Sequence, residues 1–413
     1  MGSRISPQKI IYFSLAFVAG TVGFAQEEIE TASGADSIRE NLLLVEDLRK
    51  EGAYEKGLAV AQDALRNAEN LGEDELITEA LFQLSLIHYF KESFEEARVY
   101  MEIGLTHSRL HDLTKMEGDF LNAQGVLEWK QGNLFEATAK LKEALAIKKE
   151  AGQLVSMASI SNNIGIILYS LKQYEDAVES YKQGLEYLGD HDNRRMLASL
   201  HSNMGESLIP LGKFDEAEYH LQKSLEIELE ENDPLDLAYT YFNLGELRSG
   251  QGRSKEAVEL YKTALEVQLK LQNTWAAALT RLKLSQEYLA QEDIPQAIDA
   301  LIEGYEEVKE LNALPLLRDY AEQFSILYDK SGLSGKSQYY ADLHQWFKQR
   351  LESVDIGTRM SNLPDPAAMV STLPLPPSPD FSKIRIATLG LLAVLILFLL
   401  VENFRLRKEM KEK

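Results

Sequence analysis

Among the seven histidines of this 413-residue chain, His107 and His111 stand four positions apart. That spacing places two imidazoles on one face of a helix, where they can share a divalent metal. No third ligand joins them at a suitable sequence spacing, so they read as exposed residues near a helix end, and neither a metal nor any other cofactor is expected. The run "GDHDNRR" (Gly189 to Arg195) offers Asp190 and Asp192 in calcium-loop fashion. Arg194 occupies the next ligand place and the glycine is missing, so the run reads as a linker. Carboxylate clusters such as "GEDE" (Gly72 to Glu75) and "ELEEND" (Glu228 to Asp233) read as solvated joints. The absence of cysteine excludes disulfides, thiolate zinc sites and a thiol nucleophile. No metalloprotease, nucleophile-elbow, phosphate-loop or dinucleotide signature occurs, and no enzyme activity is expected.

What does recur is Asn-x-Gly, beginning at Asn163, Asn203 and Asn243. An interval of 40 residues marks a repeat array. Steps of 40 from Gly57 meet Ala97, Ala137, Ala177, Ala217, Ala257, Ala297 and Ser337. Twelve positions earlier stand Val45, Ser85, Gly125, Gly165, Gly205, Gly245, Ser285 and Ser325. Small residues at fixed places mean that neighbouring helices come close there. Large apolar groups, Leu65, Leu105, Leu145, Leu185, Leu225, Leu265 and Tyr305, fall eight positions after the first column. A turn glycine at Gly52, Gly132, Gly212, Gly252 and Gly332 ends one helix before the next begins. Each unit is thus a helix, a tight turn and a second helix with apolar residues at helical spacing.

These units resemble tetratricopeptide repeats in a 40-residue form. In "NLGELRSGQGRSKEAVELYKTAL" the Leu-Gly pair is Leu244 and Gly245, the turn glycine Gly252, and the alanines Ala257 and Ala264. The resemblance covers residues 36–355 and implies an all-α, right-handed solenoid of about eight helix pairs. Its first unit (Gly57, Val45) and last (Ser337, His344) depart from the small-residue pattern as terminal caps do. It further implies that the first helix of each pair lines a groove for partner polypeptides. Carried over by register, the partner-binding residues are Asn122, Trp129, Asn162, Asn163, Tyr169, Asn203, Glu206, Phe242, Asn243 and Glu246. An asparagine amide can serve a partner's backbone as donor and acceptor, or it can brace adjacent helices; both readings stand. Lys283 and Arg248 are isolated cations, too few for the family's clamp on a terminal carboxylate.

The ends suggest where the array works. Arg4 and Lys9 precede the apolar run Ile10 to Ala25, giving residues 1–25 the layout of a signal peptide. A Pro-rich linker (356–383) leads to an apolar stretch (384–404), which reads as one C-terminal transmembrane helix, and then to a basic tail (405–413). Positive charge stays inside, so the expectation is a single-pass cell-membrane protein with an extracytoplasmic solenoid, periplasmic by resemblance, and a cytoplasmic tail able to pair two copies as a homodimer. The net charge of −22 disfavours nucleic acid. Two functions follow from the resemblance. The first is a non-enzymatic, membrane-anchored scaffold for protein or peptide partners. The alternative is the extracytoplasmic sensor of a bacterial histidine kinase or transcription regulator system whose effector is separate or lost.

Overall fold

Left-handed backbone recurs every 40 residues at the turn inside each helix pair, and that punctuation builds the fold. In the computed structural model, which describes residues 34–231, 234–311 and 313–355, positive φ occurs at Gly52, Glu92, Gly132, Lys172, Gly212, Gly252, Glu292 and Gly332. Each of these residues closes the first helix of a pair. At Gly132 (φ 85°) the reversal lets the Asn133 N–H return to the Glu128 carbonyl at 2.9 Å and the Gly132 N–H to that of Trp129 at 2.9 Å. These two bonds satisfy carbonyls that the helix end would otherwise strand. The next helix starts one residue later. Glutamate or lysine adopts the same conformation at three turns, so the turn glycine expected from sequence is a preference there and not a requirement.

Sixteen helices lie within the described residues: α1 Gly34–Lys50, α2 Tyr54–Leu71, α3 Asp74–Phe90, α4 Phe94–Leu110, α5 Thr114–Lys130, α6 Leu134–Glu150, α7 Leu154–Ser170, α8 Tyr174–Leu188, α9 Arg194–Leu208, α10 Phe214–Glu231, α11 Pro234–Gly250, α12 Ser254–Lys270, α13 Thr274–Ala290, α14 Ile294–Leu311, α15 Leu314–Lys330 and α16 Ser334–Asp355. Each helix packs against the one before and the one after it. The odd-numbered helices also touch one another across successive pairs, α1 to α3, α5 to α7, α7 to α9 and α9 to α11. A stack whose one layer is packed closer curves toward that layer, so the odd-numbered helices form the inner side. They carry the core: Leu84, Phe120, Leu121, Trp129, Ile166, Leu200 and Leu247 are all sealed from solvent.

The small columns have a definite occupant. A Cβ on Gly165 would lie 2.4 Å from Tyr181 Cε1, and one on Gly245 2.5 Å from Tyr261 Cε1. On Gly205 it would meet Leu221 Cγ at 2.7 Å and the Ala217 carbonyl at 3.2 Å. The glycine therefore receives a large side chain from the second helix of its own pair, and the backbones approach behind it. Gly205→Ala is expected to destabilise the chain by about 1–2 kcal/mol through overpacking, read as a lowered urea midpoint. An unchanged midpoint would mean that the two helices separate at no cost.

The structure corrects two expectations. No helix among the described residues is long and apolar enough to cross a membrane. Even α7, 17 residues without a charge, is a core helix, with Ile160, Ile166 and Ile167 buried against its neighbours. Among the described residues the fold is therefore an all-α solenoid with no membrane-spanning helix, and the expected transmembrane helix and cell-membrane location, with solenoid outside and tail inside, are withdrawn. The segments 1–25, 356–383, 384–404 and 405–413, and the homodimer assigned to the tail, lie outside the described residues.

Candidate functional site

On the inner helices the recurring asparagines form a ladder. Asn163 on α7 donates from Nδ2 to Asn122 Oδ1 on α5 at 3.1 Å. Asn203 on α9 donates to Asn162 Oδ1 on α7 at 2.9 Å. Partners are 41 positions apart, one more than the repeat, which explains the doubled asparagine: Asn163 reaches back one repeat while Asn162 receives from the next. Asn122, Asn162, Asn163, Asn203 and Asn243 are all buried, as are Trp129 and Phe242. The ladder leaves Asn162 Nδ2 and Asn163 Oδ1 without a hydrogen-bond partner, so these amides retain bonding capacity inside the inner layer.

Of the residues assigned to the groove by register, Tyr169, Glu206 and Glu246 remain half-buried. Glu206 on α9 accepts from the Tyr239 hydroxyl of α11 and is hydrogen-bonded to the Tyr169 hydroxyl of α7. One carboxylate thus links three successive repeats. Burial first, and then the Glu206 charge, push the phenols of Tyr169, Tyr181 and Tyr239 well above their ordinary range. All three stay protonated, and Tyr169 and Tyr239 act as fixed donors to Glu206. One repeat later, Glu246 accepts from the Tyr261 hydroxyl and from Lys283 Nζ at 2.7 Å, and Ser249 donates to Glu287.

The site's phenols were hard to find from sequence. Tyr181 and Tyr261 fall at core-filling positions, where spacing predicts an apolar role; their hydroxyls matter only because an inner carboxylate acts on them, Glu206 of the next pair for Tyr181 and Glu246 of the same pair for Tyr261. The two isolated cations prove committed. Lys283 pairs with Glu246, and Arg248 holds Glu218 through two bonds of 2.9 and 2.6 Å. Within "GDHDNRR", Asn193 caps α9 by accepting the Met196 N–H at 3.0 Å. One group among the described residues can hold a metal. Asp74 joins His107 and His111 with ligand atoms all within 4.8 Å of one another, a juxtaposition invisible in the sequence because the aspartate comes from a different helix.

Comparison with known proteins agrees with this architecture. The tetratricopeptide repeat family matches residues 118–188 and 196–270, so the chain carries tetratricopeptide repeats there. Among curated proteins no relative matches. Of solved structures, the apo form of RapI is similar over 77% of this chain and 99% of its own, with a TM-score of 0.57 and 14% identity. The Rap conjugation gene regulator of plasmid pLS20, solved with a Phr peptide, is similar over 80% and 100% at TM-score 0.53 and 16% identity. A signal-transduction ATPase with a tetratricopeptide repeat sensor, from Pyrococcus horikoshii, is similar over 78% of this chain and 49% of its own, at TM-score 0.58 and 14% identity. At these identities the likeness is one of fold.

Proposed function

We propose that this chain is a non-catalytic binding protein whose inner helical face takes an extended or helical segment of a partner polypeptide, with preference for basic side chains. The observation that carries the reading is the pair of half-buried carboxylates on adjacent inner helices, Glu206 fixed by phenols of the two neighbouring repeats and Glu246 by the Tyr261 phenol of its own pair and by Lys283, whose ammonium a partner cation would replace. Carboxylates held in place in a partly desolvated setting recognise Lys or Arg with little ordering cost. The overall charge of −22 adds attraction at longer range. Tyr169 supplies an amphipathic ring beside Glu206, and the asparagine amides with unused donors and acceptors suit a peptide backbone if the inner layer opens. The likeness in fold to a Rap regulator solved with a Phr peptide supports a peptide as the ligand class. A sensor role is the second reading, favoured by the likeness to a protein whose solenoid is described as a sensor. In that case peptide capture would shift the ladder and the phenol-carboxylate network together.

The test is fluorescence anisotropy of the full chain with basic, neutral and acidic labelled peptides. Basic peptides are expected to bind best, and the Glu206→Gln/Glu246→Gln variant to lose about tenfold or more in affinity. Equal binding of acidic peptides, or an unchanged affinity in the variant, would overturn the proposal.

A further inference from the structure

We propose that Asp74, His107 and His111 form a binding site for a divalent transition cation of the zinc class, which clasps the two open ends of the second helix pair. The topology makes the site. Helices α3 and α4 run antiparallel, so Asp74, the first residue of α3, lies beside the last turn of α4, where His107 stands, and beside His111, which follows that helix. The two histidines share one face, with rings stacked at a centroid separation of 4.3 Å. His107 Nε2 is 3.6 Å from Asp74 Oδ1, and His111 Nδ1 is 2.8 Å from Asp74 Oδ2. Two ligand atoms at zinc bonding distance in a tetrahedral site are about 3.4 Å apart. The His107–Asp74 edge, at 3.6 Å, is close to that length, and small side-chain rotations adjust the others.

Thr78 provides an independent sign of a cation. Its hydroxyl donates to the Asp74 carbonyl at 2.7 Å, which uses its one proton. Toward His107 Nδ1, at 2.8 Å, it can then only accept, so His107 carries its hydrogen on Nδ1. In the neutral ring the Nε2 lone pair then faces the Asp74 carboxylate. Two electron-rich atoms so placed repel unless a positive species lies between them. A hydroxyl that fixes the Nδ1–H tautomer and turns Nε2 toward a carboxylate is the outer-shell arrangement that metal-bound histidines use.

The donor set selects the ion. Two neutral imidazoles and one carboxylate suit zinc, nickel or cobalt, whereas magnesium and calcium call for oxygen-rich sites. The side chains of Asp74, His107 and His111 are 43%, 20% and 31% exposed, which gives the ion an entry path and leaves room for water as a further ligand. The clasp lies where the second repeat hands over to α5, so a bound ion would stiffen that joint and stabilise the folded chain by mass action.

The experiment uses the full chain, free of any histidine tag and stripped with chelator, titrated with Zn²⁺ by calorimetry and with Co²⁺ by visible absorption. The expected result is one equivalent bound, with cobalt bands of a four- or five-coordinate nitrogen-oxygen site and a thermal midpoint raised by Zn²⁺. His107→Gln and Asp74→Asn should each lose binding by more than tenfold, and Thr78→Val by about tenfold through the ring orientation, all with unchanged circular dichroism. His201→Gln, in a different histidine pair, should bind as the parent does. Absence of stoichiometric binding would overturn the proposal, as would undiminished binding in folded His107→Gln or loss of binding in His201→Gln.

Discussion

Replacing Lys148 by alanine lowers the stability of the folded chain by about 3–5 kcal/mol. Lys148 on α6 is wholly buried. Its ammonium lies 2.6 Å from Asp119 Oδ1 and donates to the Lys115 carbonyl at 2.7 Å. Its stem fills the space over Gly118, where a Cβ would come within 2.7 Å of Lys148 Cε. Burial pushes the ammonium below its ordinary pKa, and Asp119 opposes that shift. Alanine therefore removes three things together: packing above Gly118, a donor to a helix-end carbonyl, and the counter-ion of a carboxylate that is itself largely buried. Leaving one partner of such a pair costs far more than removing both. Lys148→Met should still destabilise the chain, and Lys148→Met/Asp119→Asn should recover much of the loss. Urea unfolding of the three variants measures the coupling. A cost below about 1 kcal/mol for Lys148→Ala would mean that the pair contributes nothing to the folded state.

The second large effect is a loss of stability in mild acid, on the order of 2 kcal/mol, centred on His201 and His220. The rings face each other from α9 and α10 with Nδ1 atoms 2.8 Å apart, so a single hydrogen serves both nitrogens. Charging both rings would set two cations in contact. Burial first, then His220 and Lys223, bring the His201 pKa down to about 4. Burial also lowers that of His220, against the attraction of Glu216. The unfolded chain, with ordinary histidines near 6.5, takes up protons that the folded chain refuses. The stabilisation is complete above about pH 6.5, falls as the pH drops, and levels off near pH 4. Partial exposure of the pair brings the full linkage value down to the stated size. Urea midpoints across this window should show the fall, and His201→Asn/His220→Asn should flatten it. Equal slopes in parent and variant would remove the pair from the account.

The 40-residue register was legible because it rests on volume. Gly165, Gly205 and Gly245 can be read as close approaches from residue type and interval alone. What fills the gap cannot, since Tyr181 and Leu221 are ordinary helical residues until the pair is folded. Glu92, Lys172 and Glu292 hide their turns for a related reason: a left-handed residue that is not glycine carries no sequence mark. The asparagines divided in the same way. Their recurrence is a sequence fact, whereas the offset of 41 that joins Asn163 to Asn122 and Asn203 to Asn162 follows from how successive inner helices slide past one another.

By itself the sequence determined that this chain is a stack of helix pairs with a fixed period, because small, large and turn residues act locally and repeat. The tertiary structure decided which polar groups meet. Glu206 between Tyr169 and Tyr239, Lys148 against Asp119, and Asp74 against His107 and His111 join residues from 29 to 37 positions apart. Such partners leave no local pattern. They are chosen by the crossing of helices, and that crossing is set by the shapes of side chains packed in three dimensions.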